Sequence, residues 1–176
     1  QASFALGAKP MIIWMATPPG PGGMVDDFLP SASLRGALME ADCWIEFNRQ
    51  YINYSKTMEY VCAHNKKLRY LIMPGMVVDV MVRLFVKVDQ YALRDFVELV
   101  AAKTRAAKKV RITSPNGQDV EFENDPSHPV RGETGFCTEP GMSNLAGQIG
   151  WCPALDTING VIVFDGSLVP QFGLVD

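Results

Sequence analysis

Much that would announce a function is missing from this chain. It contains no GxGxxG, no Walker-type phosphate loop, no GxSxG nucleophile elbow and no HExxH pair. Only two histidines, His64 and His128, are present, so a histidine-rich metal cluster is excluded from these residues. Four cysteines, Cys43, Cys62, Cys137 and Cys152, are too far apart for a CxxC zinc knuckle or a dense disulfide framework. We expect four reduced, mostly buried thiols in a cytoplasmic protein. The net charge is −3 with no basic stripe, which argues against nucleic acid as a partner. No apolar run approaches the roughly 20 residues of a membrane-spanning helix. Residues 1–10 lack the charged, apolar and small-residue succession of a signal peptide.

What is present is ordinary globular material, 48% hydrophobic and 20% charged in 176 residues. Met11–Ala16 (MIIWMA) is a continuous apolar run of strand length, ended by the proline- and glycine-rich Thr17–Gly23. Ser31 or Ser33 is placed to cap a helix carrying Leu34 and Leu38. Cys43–Phe47 reads as a second strand, its apolar run broken by Glu46. Ser55 caps a helix through Met58, Val61 and Cys62, and Leu68–Met73 reads as a third strand. Helical spacing covers Val77–Phe85 and Tyr91–Ala107, the latter with Leu93, Phe96, Val97 and Val100 on one face. Lys109–Glu123 alternates on both sides of Pro115-Asn116-Gly117, the pattern of a β-hairpin. Phe4 and Leu6 followed by Gly7 read as a helix end with its glycine cap.

This alternation predicts an α/β fold: a doubly wound, mostly parallel sheet with helices on both faces. We expect a Rossmann-like scaffold over residues 1–123, incomplete at its start. Residues 124–176 then form a linker and a glycine-rich β segment that begins a second, catalytic domain. In such sheets ligands sit beyond the carboxyl ends of the strands, here at the loops 17–30, 48–54 and 74–76.

The unusual chemistry lies between Gly132 and Pro170, including the apolar strand Val161–Phe164 and the turn Asp165-Gly166-Ser167. Glu133 and Glu139 are flanked by Gly132, Gly135 and Gly141, which permit close backbone approach. Gln148 sits between glycines in an apolar setting. It is either a structural bridge or a site residue, since a buried amide needs partners. Asp156 and Asp165 read as turn residues. His64 reads as a surface residue at a helix end. His128 lies in a polar loop, with Glu133, Cys137 and Glu139 following as further metal-ligand types.

The stretch GQIGWCPALDTINGVIVFDGSL (Gly147–Leu168) resembles one shared by two related groups. These are the 2,5-dihydroxypyridine 5,6-dioxygenases, mononuclear non-haem iron enzymes, and the metallo-aminopeptidases of the thermophilic aminopeptidase T type. LGAKPMIIWMATPPGPGG, MEADCWIEF, RYLIMPGM and KKVRITSPNGQDVEFE occur in matching order upstream. The resemblance implies part of a ring-cleaving dioxygenase acting on a dihydroxylated aromatic or heteroaromatic ring. Its cofactor would be Fe(II), held by two histidines and an aspartate outside this chain. Gln148, Trp151, Glu139 and Glu133 would serve as substrate contacts or as supports of the ligands. In the aminopeptidases the position of Gln148 is a metal-binding glutamate, and that reading implies Zn, Co or Mn. A non-catalytic subunit of a heteromeric assembly is the third reading. All three imply a companion chain or carboxyl-terminal half, and association burying more than about 1,600 Å².

Overall fold

The computed structural model describes residues 1–20 and 22–166 of the chain. The expected contributions of Ser167–Pro170 and of the 171–176 end lie outside these residues. Helices and strands are mixed, and among the described residues the strands form two three-stranded sheets and one two-stranded sheet. The chain divides into two compact units. One comprises Gln1–Val80 with Thr138–Met142. The other comprises Met81–Cys137 with the chain from Ser143 onward.

The first unit opens on a short helix, α1 (Ala2–Ala5), closed by Gly7 at φ +82°. Ala8 N–H reaches back to Ser3 C=O at 3.0 Å, so the glycine end-cap read from the sequence is formed. Met11–Ala16 is not a strand. Met11, Ile12 and Trp14 are 69%, 88% and 93% exposed, because the run has no ladder partner and only Met15 packs against the core. A 3₁₀ turn, Gly22–Phe28, buries Val25. Helix α2 (Ser31–Met39) starts after Pro30 without a side-chain cap, so neither Ser31 nor Ser33 plays that part. It buries Leu34 and Leu38, four residues apart on one face. Helix α3 (Lys56–His64) is capped as expected, Ser55 Oγ accepting from Met58 N–H at 3.2 Å. It turns Met58 and Val61 onto α2.

Strands β1 (Cys43–Glu46) and β2 (Arg69–Ile72) pair in parallel, Cys43 opposite Arg69 and Glu46 opposite Ile72. Strand β6 (Gly141–Asn144) takes the third position, and Gly141 N–H donates to Leu68 C=O at 2.9 Å. One apolar cluster joins Val25, Leu34, Leu38, Ile52, Met58, Val61, Leu68, Tyr70 and Ile72. Each such aliphatic side chain contributes about 1.5–3 kcal/mol on full burial. Asn65, 6% exposed, fastens the end of α2: its amide donates to Leu38 C=O at 2.8 Å and Ala41 C=O at 2.9 Å.

The expected helix over Val77–Phe85 is shorter and changes pitch. Helix α4 (Val78–Met81) passes into a π-helical turn, Val82–Val86. Its apolar residues Val78, Val82, Leu84 and Val86 remain exposed.

In the second unit, helix α5 (Gln90–Ala106) is capped by Asp89, whose carboxylate accepts from Tyr91 and Ala92 N–H. Val97 and Ala101 are its buried residues; Phe96, expected on that face, is 62% exposed. The hairpin is formed as read. Strand β3 (Lys109–Thr113) pairs antiparallel with β4 (Asp119–Glu123), Lys109 opposite Glu123, and turns at Gly117, φ +94°. Strand β8 (Asn159–Val161) adds to β4. It begins two residues before the expected Val161–Phe164 strand and ends at Val161, because the β4 partners run out at Asp119. Here Asn124 repeats the role of Asn65, donating to Thr104 C=O at 2.7 Å and Ala107 C=O at 2.8 Å at the end of α5.

Candidate functional site

The glycine-rich segment is built around strands β5 (Arg131–Glu133) and β7 (Gln148–Gly150), antiparallel, with Glu133 opposite Gln148. Gly132 lets β5 lie directly on α5. A Cβ there would stand 3.0 Å from Val97 Cγ1 and 3.4 Å from Ala101 Cβ. Glu133 is half-buried and its Oε2 accepts Asn144 N–H at 3.0 Å, while Gly147 N–H donates to Glu133 C=O at 3.0 Å. Glu133 thus closes the loop 134–147 on itself. Gln148 is exposed, so it is not the buried amide that its apolar setting suggested. The three-residue ladder has no layer over that position.

Trp151 is half-buried against Phe122, ring centroids 6.1 Å apart. Its indole Nε1 is buried without an acceptor, an uncompensated donor of the kind that folded proteins rarely leave. Glu139 is exposed and belongs to the first unit, whereas Glu133, Gln148 and Trp151 belong to the second. Of the four residues singled out, the structure therefore brings together Glu133 and Gln148 as ladder partners, with Trp151 following on the same chain segment.

His128 enters a local turn. Its Nδ1 lies 3.0 Å from Asp125 Oδ2 and 3.2 Å from Ser127 Oγ, and Ser127 Oγ donates to Asp125 Oδ1 at 2.6 Å. Hydrogen bonds from Ser127 hold the Asp125 carboxyl below its usual range. The same ring nitrogen meets both neighbours, so no Ser-to-His-to-Asp relay exists. His64 is exposed at the end of α3, stacked on Tyr60 at 4.1 Å, as read. The cysteines are not, as expected, mostly buried: Cys43 and Cys152 are exposed, and Cys62 and Cys137 are half-buried. Among the described residues, no three His, Cys, Asp or Glu side chains stand close enough to hold a metal ion. No helix among them is long and apolar enough to cross a membrane.

The most deeply buried carboxyl among the described residues is one that the sequence marked only by its oddity. Glu46, at the carboxyl end of β1, is 1% exposed. Its Oε1 accepts from Asn48 Nδ2 at 2.9 Å and from Ile52 N–H at 3.0 Å. Its Oε2 accepts from the hydroxyl of Tyr70, the fully buried β2 residue stacked on Trp44 at 4.4 Å. Burial pushes the Glu46 carboxyl up, against the pull of these three donors. Burial first, then the Glu46 charge, drives the Tyr70 hydroxyl far above its ordinary value, so it remains a donor. A single carboxylate inside an otherwise apolar strand was the signal available beforehand.

A small concavity of about 160 Å³ lies beside Cys62, Leu68, Tyr70 and Gly141, below the roughly 300 Å³ at which ligand pockets begin. Burial raises the Cys62 thiol, which leaves it unactivated there.

Comparison with known proteins gives one family. The family model described as NicX: 2,5-dihydroxypyridine 5,6-dioxygenase matches residues 2–169. No curated protein and no solved structure matches the chain.

Proposed function

Because this chain belongs to the NicX family of 2,5-dihydroxypyridine 5,6-dioxygenases, we propose that it forms part of an oxygen-dependent enzyme that opens a dihydroxylated heteroaromatic ring. The family match over residues 2–169 carries this reading. Such an enzyme takes a small aromatic substrate and, by the same reading, Fe(II). When bound, the iron would supply the means of bringing dioxygen and an electron-rich ring together. The described residues do not fit that iron: they contain no group of three metal-ligating side chains, and Gln148 is exposed. We therefore propose for the described residues the binding and support of the substrate.

Two features support that assignment. The unpartnered Trp151 Nε1 is a donor awaiting an acceptor, and a hydroxylated ring carries acceptor oxygens. Gln148 and Glu133, opposite one another in β5 and β7, offer an amide and a carboxylate at neighbouring positions. A doubly wound sheet, a cytoplasmic location and assembly into an oligomer belong to the same proposal. The test is oxygen uptake by the full-length protein with 2,5-dihydroxypyridine and Fe(II). The expected result is consumption of oxygen matched to loss of the ring absorbance. Absence of uptake with any dihydroxypyridine, or release of amino-terminal residues from peptides with Zn, Co or Mn, overturns the reading.

A further inference from the structure

Ligands of parallel α/β sheets gather beyond the carboxyl ends of the strands. At that end of the β1–β2 pair, three connections are tied to one another. Gly75 N–H donates to Asn48 C=O at 2.9 Å. Lys56 N–H donates to Asp26 Oδ1 at 2.9 Å, which straps the 3₁₀ turn to the start of α3. Ile52 N–H donates to Glu46 Oε1 at 3.0 Å. The 48–54 loop is thus held at both ends, and from beneath by a carboxylate. Glu46 makes no ion pair among the described residues. Its partners are the Asn48 amide, the Ile52 N–H and the Tyr70 hydroxyl.

A buried carboxylate is a costly way to fasten a loop, since desolvation opposes its charge. The loop it fastens turns outward Arg49 and Tyr54, the latter 66% exposed. Gly23 of the adjacent turn comes within 3.8 Å of the Tyr54 carbonyl at its would-be Cβ, and Phe28 of that turn is 61% exposed. An exposed guanidinium and an exposed aromatic ring on one tethered loop suit a flat anionic ring. The ring stacks on an aromatic side chain, and the planar fork of arginine bonds an ionised ring oxygen.

We propose that the 48–54 loop is a contact site for a planar, hydroxylated heteroaromatic anion. Arg49 pairs with its oxygen, Tyr54 stacks on its face, and Glu46 is the positioning residue that fixes the loop. The proposal rests on the dioxygenase reading, whose substrate is of this class, and names the part of this chain that meets it.

The probe is 2,5-dihydroxypyridine, titrated into the full-length protein without oxygen and followed by calorimetry. Arg49→Ala, an exposed change, is expected to keep the wild-type melting temperature and raise the dissociation constant about tenfold or more, the loss of one charged hydrogen bond. Glu46→Leu removes the acceptor for Ile52 N–H and is expected to weaken binding similarly. Glu46→Gln can keep an oxygen toward Ile52 and donate to the Tyr70 oxygen, and is expected to restore most of the affinity. A purely structural role for Glu46 predicts lower melting temperatures with unchanged affinity. Wild-type affinity in both Arg49→Ala and Tyr54→Ala overturns the proposal, even if the wild-type protein consumes oxygen. If the ring binds through Arg49 without any oxygen uptake, the loop assignment stands and the dioxygenase reading falls.

Discussion

Tyr70→Phe removes one oxygen from the protein's core and tests the Glu46 network directly. The ring remains, so its stacking on Trp44 at 4.4 Å is kept. What is lost is the hydroxyl that donates to Glu46 Oε2. A hydrogen bond to a charged group is worth about 1.5–3 kcal/mol, and the abandoned oxygen is buried, in a residue 1% exposed. At about 2–4 °C per kcal/mol for a chain of this size, the melting temperature should fall by roughly 3–12 °C at pH 8. Acidity changes the answer. The folded Glu46 carboxyl titrates above its ordinary value near 4.5, because burial outweighs its donors. Between that ordinary value and the raised one, the folded protein holds more protons than the unfolded chain. This group's contribution to stability is therefore fully present below 4.5 and lost as pH rises through the raised value. Removing the Tyr70 donor raises the carboxyl further, so the variant's deficit grows with pH. Thermal melts of both proteins at pH 5 and pH 8 measure the difference. An equal deficit at the two pH values, or none at pH 8, refutes the charged network.

Gly160→Ala should free β8 from β4. The new Cβ would lie 2.1 Å from Asp119 C=O at φ +119°, a backbone strain of order 1–3 kcal/mol before the clash is counted. Hydrogen exchange should show lost protection in Asp119–Glu121, and normal protection there would sink the argument. Asn65→Asp turns a carboxylate toward Leu38 C=O and Ala41 C=O, which now receive two amide hydrogens. A buried unpaired charge costs about 3–5 kcal/mol, and calorimetric unfolding at neutral pH should register it, with partial recovery in acid. Arg111→Ala breaks a two-bond pair with Asp119, yet both side chains are well exposed. Its melting temperature should move by less than about 2 °C, and a larger fall would mean that the pair does more than its solvation allows.

Local signals were legible wherever the physics is local. Ser55 as a helix cap, Gly7 as a helix end and the Asn116-Gly117 turn between β3 and β4 all depend on a few neighbouring residues. Burial depends on distant ones, and there the reading diverged. Met11–Ala16 has the composition of a covered strand, but composition cannot provide the covering. Phe96 has helical spacing with Val97 and Val100, yet the residues facing β5 are Val97 and Ala101, four apart, where the missing side chain of Gly132 lets that strand lie close. The Glu46–Tyr70 pair joins residues 24 apart in the chain. The sequence showed a carboxylate interrupting an apolar strand. Only the parallel register of β1 and β2 shows the hydroxyl waiting for it.

Asn65 and Asn124 close the two helices α2 and α5 in the same manner, one nitrogen shared between two carbonyls. Asparagine is also the side chain that ages, slowly losing its amide nitrogen to water. At most surface positions that change passes with little effect. At these two it would exchange a double donor for an acceptor and set like against like at a helix end. Their double hydrogen bonds and burial guard these amides, and loss of either nitrogen should fray the end of α2 or α5 before the sheets part.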